Sequence, residues 1–473
     1  MERDFFSTLL AKLEELTGEE LIGLVLAQAE QIANFQALLA QLQADNEALR
    51  LKLEKLQKPP TSSSNSSQPP SRDQKRNKPA NRPKRKHGPP AGHVKYERRF
   101  VAEPDQIMPL QVTACPGCQT DLKTAPAVLV NVTQITEIPE PKAQVIEVRQ
   151  YAVTCPGCGQ SHVAEPPVGL EMSRSFGARL ETTVVYYRQE QHMSYERTQA
   201  ALLNLHGVEL SQGGIDQMVQ RAGQAAGTEV ATIQAAVRQS GVVNSDATGA
   251  RVDGRTWWHW VFCTMTAVLH LIQASRASQV IEKVMGEVEV EVWGSDCLPA
   301  QLKAKAKRHQ LCLAHQLPNL QAVVDPYPAL WWATAMQTLF RAAIHLHHQR
   351  TELPPDQFQQ RIARLEQLCD WLLKRPLSKP EAIKLQRRYR KHRQNLFVFL
   401  YRTDVPPTNN VSERALRPAV VHRKVTGGFR SEWGAKTYAA LASVIDTAAL
   451  KGVSAFAAIQ PLMGTPALPL PGE

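Results

Sequence analysis

A chain of 473 residues with 43% apolar side chains is long enough for several packed units and too apolar to be disordered throughout. Its formal net charge of +11 and isoelectric point near 9.3 favour a polyanionic partner, nucleic acid ahead of a membrane surface. There is no long uncharged apolar run and no basic-then-apolar leader, so an intracellular, cytoplasmic protein with no membrane partner is expected.

Residues 5–58 read as a leucine-rich helix. With Phe35, Leu42, Leu49 and Leu56 at heptad position d, Ile32, Leu39, Asn46 and Leu53 fall at a. That pattern predicts a coiled coil joining copies of the chain, with Asn46 fixing the register. A helix packed on its own protein would show a similar pattern, but the polar segment that follows offers it no neighbouring core. Residues 59–92 form that linker, with no apolar residue to bury in TSSSNSSQPP. Its basic tract, including Arg82, Lys84, Arg85 and Lys86, suits phosphate binding without sequence readout and suits a solubilising tail nearly as well.

Residues 93–170 are expected to form a small β-rich unit. Cys115-Pro-Gly-Cys118 and Cys155-Pro-Gly-Cys158 each present two sulfurs, and four together would hold one Zn2+ in place of a core too small to stand alone. All eight cysteines of the chain fit a reducing compartment, with redox disulfides the weaker reading of the two pairs. Between the pairs lie two strand-like runs, VLVNVTQITEI and AQVIEVRQYAV. Residues 171–240 are helical, with a break at His206-Gly207 that resembles a helix-turn-helix, a shape any helical hairpin shares.

At Gly241 the pattern turns to strands. VVNSDATGARV, TWWHWVFCTM and AVLHLIQA predict a meander, followed by a helix near Ser278–Met285, the strand VEVEVWGSD and a short strand HQLCLAH at 309–315. This is the order of a ribonuclease-H-like core, assigned to residues 241–322 and 402–450 around a helical insertion at 323–401, with 451–473 as a tail. The fold class is thus multidomain α+β. Asp246 and Asp296 are expected at strand ends, where a carboxylate beside apolar strands is costly unless it is paired or binds a cation. Either alone is as readily a turn residue. With a third acid they would hold Mg2+ or Mn2+ for phosphodiester chemistry.

Glu413 is the natural third acid. It lies in TNNVSERALRPAVVHRKVTGGFR among Arg414, Arg417, Arg423 and Lys424, which suit DNA phosphates. Asn410 is expected to cap its helix, and Pro418 to kink or end it near Arg417.

The run SDATGARVDGRTWWHW, then WGSD, HQLCLAH and PTNNVSERALRPAVVHRKVTGGFRS, together with the CPGC pairs and the leucine-rich N-terminal helix, resembles the insertion-sequence-66 family of DDE transposases over residues 30–460. The resemblance implies Asp246, Asp296 and Glu413 as a metal-binding catalytic triad. It also implies transposon-end and target DNA as partners, cleavage followed by strand transfer, and accessory proteins of the element. The chain departs from the family pattern at Ala247, where Glu is usual, at Leu298, where an aromatic is common, and at Pro318 and Asn319. A decayed copy that only binds DNA and multimerises is the alternative these departures leave open, and a nuclease without strand transfer is a third.

Overall fold

In the computed structural model the described residues are 17–57, 93, 98–141, 143–171 and 174–464. The tract holding Arg82, Lys84, Arg85 and Lys86, the rest of the 59–92 linker and the start of the 5–58 segment lie outside them. The described residues fall into two units, one comprising those up to 73 with 229–432, the other those of 74–228 with 433–464.

In the first unit, helix α1 (Gly18–Gln57) carries Ile32, Phe35, Leu39, Leu42, Asn46 and Leu49 as an exposed stripe. The centre of this unit is a five-stranded mixed sheet. Strands β3 (Val242–Val252), β4 (Arg255–Cys263), β5 (Val268–Gln273), β6 (Val290–Ser295) and β7 (Ala306–Leu311) are ordered β5-β4-β3-β6-β7. β3, β4 and β5 form an antiparallel meander. β6 joins β3 in parallel after the crossover helix α5 (Gln279–Met285), and β7 joins β6 in parallel. The last five residues of β4 are all buried, as expected of a central strand covered on both faces. Trp260 stacks on Phe262 at 6.2 Å between ring centroids, and Phe262 meets Trp293 of β6 edge-on at 6.1 Å. Each such side chain taken from water contributes roughly 1.5–3 kcal/mol. Gly294 is needed where β6 meets Asn244, because a Cβ there would collide with the Asn244 side chain.

Helices α6 (Leu313–Val324), α7 (Trp331–His348), α8 (Pro355–Lys374), α9 (Pro380–Lys391) and α10 (Val398–Tyr401) follow β7 and share a core of Trp332, Phe340, Tyr389 and Phe397. Gln310, buried in β7, ties them to the sheet by donating to the Leu396 carbonyl at 3.2 Å and accepting from the Phe399 N–H at 3.2 Å. The chain then returns as α11 (Asn410–Thr426), whose Leu416 packs on Val261, Cys263 and Val268. Beyond α11, Gly428 crosses close to the end of β3, with φ +125° and no room for a Cβ beside the Arg251 carbonyl. This lets Phe429 exchange backbone hydrogen bonds with Arg251 and Asp253.

In the second unit, α2 (Ala178–Gln189), α3 (Tyr195–His206) and the start of α4 (Gln212–Gln239) form a helical array. Ser194 caps α3 at the Arg197 N–H, 3.2 Å, and Gly207 ends it in the left-handed region at φ 65°. Ser211 accepts from the Gly214 N–H at 3.0 Å, so the helix–break–helix reading of this stretch holds. Glu181, 1% exposed, is held by Arg174 at 2.8 Å and Arg221 at 2.6 Å. Helices α12 (Glu432–Ala449) and α13 (Ala455–Met463) complete the array, with Ile459 and Met463 packed against Val185 and Leu441. The segment expected as a tail thus begins as a packed helix.

Four local expectations are corrected. Residues 93–170 are not β-rich among those described, holding only β1 (Ala152–Thr154) and β2 (Ser161–Val163), paired antiparallel. The run 128–138 has the composition of a strand, but it has no ladder partner and Val128, Val130 and Ile135 are exposed; alternation makes a strand only where a neighbour completes it. Asp246 is the fifth of eleven residues in β3 and not its end, because β4 continues the pairing past the point where β6 stops at Asn244. HQLCLAH is half strand and half helix, β7 ending at Leu311 and α6 starting at Leu313. Pro418 does not end α11, which runs on to Thr426 with Pro418 on its exposed side.

Candidate active site

Asp246, Asp296 and Glu413 all belong to the first unit, on β3, just past β6 and in the first turn of α11. Each is half-buried. Asp246 Oδ1 accepts the Ala247 N–H at 2.7 Å and Asp296 Oδ1 accepts the Leu298 N–H at 3.1 Å. Burial, then the charge of Asp296 and more weakly that of Glu413, push the Asp246 carboxyl up to about 6, against the Ala247 hydrogen bond and His315. Asp246 therefore feels the charge of both other acids, which is unfavourable for its ionised form unless a cation joins them. An oxygen-only donor set in a half-open setting fits a hard divalent ion.

The stretch that positions Glu413 is built differently from its sequence reading. The residue before the helix is Asn409, not Asn410, and its side chain caps nothing. Buried to 1% exposure, Asn409 donates from Nδ2 to the Ser245 carbonyl of β3 at 2.8 Å, while its backbone N–H donates to Cys312 Sγ at 3.0 Å. Its carbonyl accepts the Glu413 N–H at 3.2 Å. The Leu313 N–H donates to the Pro407 carbonyl at 3.1 Å and the Cys312 N–H to the Ser295 carbonyl at 2.8 Å. Asn409 thus stitches the start of α11 to β3 beside Asp246 and to the chain leaving β7, which is itself tied to β6 beside Asp296.

His315, three residues beyond Cys312, faces Glu413 with Nδ1 3.5 Å from Oε1. Burial works against its charged form, yet Cys312, Glu413 and Asp296 outweigh it and raise the ring to about 9. Donor atoms of Cys312, His315 and Glu413 all lie within 4.8 Å of one another, whereas the three carboxylates of the triad do not form such a group among the described residues. By their spacing alone Cys312 and His315 are half a zinc site. The spacing of the two was visible, but their proximity to Glu413, about a hundred residues on, was not.

Of the basic residues, Arg414, Arg417 and Lys424 are exposed. Arg423 is half-buried and donates to the Gly249 carbonyl of β3, so it braces α11 as well as carrying charge. A cleft of about 610 Å³ beside α9 is lined by Arg308, Arg390, Lys391 and Arg393, and also by Glu366 and Asp370, which pair with Arg393. Arg388 and Lys391 act electrostatically on Cys297, next to Asp296, so the positive charge of α9 reaches toward the acids.

The two CPGC knuckles share one conformation. Cys115 and Cys155 each donate an N–H to a carbonyl five residues on, 2.9 Å and 2.8 Å, and accept one from four residues on, 2.9 Å in both, with Gln119 and Gly159 at positive φ. Hydrogen bonding from Thr120 lowers the Cys118 thiol, and backbone N–H groups at Cys158 and Gly157 lower that of Cys155. Both knuckles favour thiolates, the form that binds zinc. The two pairs are not drawn into one four-sulfur cluster here.

The family model described as Transposase IS66 family matches residues 174–437, more than half of the chain and all three acids. A second, the zinc-finger binding domain of transposase IS66, matches residues 113–159, with all four knuckle cysteines. Curated proteins give no match. These findings define the class as a DNA-processing enzyme with a zinc-finger module. The chain belongs to the IS66 family of transposases, proteins of DNA transposition by insertion sequences. Among the described residues no helix is long and apolar enough to cross a membrane.

Proposed function

We propose that Asp246, Asp296 and Glu413 form a DDE triad in a ribonuclease-H-like core, and that this copy cleaves element ends and joins them to target DNA. The single observation that carries the reading is that Asp246 on β3 and Asp296 just past its parallel neighbour β6 lie close enough, with Glu413, for the charge of both to act on Asp246. Residues 323–401 serve as the helical insertion. Divalent ions held at the triad, Mg2+ or Mn2+, supply activation of a water or 3′-hydroxyl and stabilise the leaving oxygen. The chain's own residues do the rest. Asn409 fixes the approach of Glu413, and the Ala247 and Leu298 N–H groups orient the two aspartates. Arg414, Arg417 and Lys424, with the Arg82–Lys86 tract, meet phosphates.

The departures at Ala247 and Leu298 do not favour a decayed copy, because both positions serve the aspartates through backbone N–H groups that almost any residue offers. Pro318 is carried inside α6 without ending it. Cys115, Cys118, Cys155 and Cys158 together bind one Zn2+, and the exposed stripe of α1 pairs copies of the chain as a coiled coil. Metal-dependent nicking of DNA bearing the element's own ends tests the triad, and retention of cutting by Asp246→Asn overturns it.

A further inference from the structure

We propose that Cys312, His315 and Glu413 form a separate site for a borderline-soft cation of the Zn2+ class, distinct from the cysteine knuckles, and that zinc there withdraws Glu413 from the triad. The part about Glu413 rests on the triad reading; the binding itself does not.

The donors come from two helix starts. Cys312 immediately precedes α6, His315 is the third residue of its first turn, and Glu413 is the fourth residue of α11. Positions three apart at a helix start lie on one face, which turns sulfur and imidazole the same way. Loop 405–409 brings the second helix start alongside through the Pro407–Leu313 and Asn409–Cys312 hydrogen bonds. The result is one sulfur, one imidazole nitrogen and one carboxylate oxygen within 4.8 Å of one another. Three protein ligands of mixed S, N and O type with a fourth position left to water is an arrangement Zn2+ accepts and Mg2+, which requires oxygen, does not.

The surroundings suit a bound thiolate. Cys312 is 1% exposed, and its Sγ accepts the backbone N–H of Asn409, a contact that stabilises sulfur as an anion and orients its lone pairs. Both helix starts bring positive dipole ends toward it. His315 Nδ1 is buried without a hydrogen bond although it faces Glu413. Binding releases the cysteine proton and that of the His315 imidazolium to solvent, so affinity rises with pH. Glu413, the most exposed of the three, is the ligand shared with the triad. Zinc bound to Cys312 and His315 fixes that carboxylate and leaves Asp246 and Asp296 without their partner. The site would act as a brake when free zinc rises.

Cobalt(II) titration of the full chain reads the site directly, because thiolate-to-cobalt absorption reports each sulfur-ligated ion. The parent is expected to show one thiolate-ligated equivalent more than Cys312→Ser, and His315→Gln is expected to lose the same equivalent. Should the serine variant fail to fold by circular dichroism, His315→Gln decides alone. Equal cobalt stoichiometry in parent and folded variants overturns the proposal. As a second reading, the ratio of nicking with and without micromolar zinc under excess Mg2+ should fall well below one in the parent and stay near one in Cys312→Ser. An unchanged ratio in both overturns the brake. If no nicking occurs at all, the triad reading fails while the cobalt stoichiometry still judges the site.

Discussion

Asn409→Ala isolates the stitch between the sheet and the Glu413 helix. The substitution removes the bond from Nδ2 to the Ser245 carbonyl, 2.8 Å, at a position 1% exposed, and leaves the backbone bond to Cys312 in place. A buried carbonyl deprived of its partner costs roughly 1–3 kcal/mol. For a unit of about two hundred residues that lowers the unfolding midpoint by roughly 2–4 °C per kcal/mol, or about 4–8 °C at the middle of the range. Tryptophan fluorescence follows it, because Trp260 and Trp293 are buried in the same sheet. The start of α11 would shift relative to β3, and a displacement of about 1 Å at a reacting centre slows chemistry on the order of a hundredfold. Nicking should therefore fall far more than the loss of stability explains at a temperature where the variant is fully folded. An unchanged midpoint together with parental nicking refutes the reasoning.

The His259 ring, buried against His270 with 3.0 Å between Nε2 and Nδ1, is held well below its ordinary range by burial and by the charges of His270 and His422. The unfolded chain therefore takes up a proton that the folded one refuses, and stability is lost as pH falls below about 6.5, by up to about 1.4 kcal/mol per unit. Asp246, raised to about 6, acts in the opposite sense, losing stability as pH rises through that value, so metal-free denaturation of His259→Asn beside the parent separates the two. A parental acid limb in His259→Asn counts against this account. Elemental analysis should find about one zinc per chain at the knuckles of the Cys312→Ser protein, falling on Cys155→Ser, whereas a folded protein without zinc contradicts the four-cysteine site. Leu42→Pro, in the exposed stripe of α1, should lower the sedimenting mass of the full chain, and an unchanged mass removes the coiled coil.

Local signals were legible where local chemistry decides. The helix break at His206-Gly207 and the strand runs of β3 to β6 stand in the sequence because each is set by residues a few positions apart. Asp296 was placed well because β6 ends where its apolar run ends. Asp246 was misjudged because the length of β3 depends on β4, not on its own composition. Asn410 was expected to cap the helix, whereas the residue before it is Asn409, a tertiary fastener to a strand 164 residues away. The meeting of Cys312 and His315 with Glu413 follows from two helix starts lying side by side, a fact of packing that no spacing in the chain encodes.

The most direct test of the central claim is cleavage of DNA bearing the ends of the chain's own element, by parent and by Asp246→Asn, with Mg2+ and with chelator. The account predicts nicks with 3′-hydroxyl ends in the parent with metal, none with chelator, and none from a folded Asp246→Asn that still binds the DNA. Equal cutting by Asp246→Asn, or cutting that persists in chelator, contradicts it.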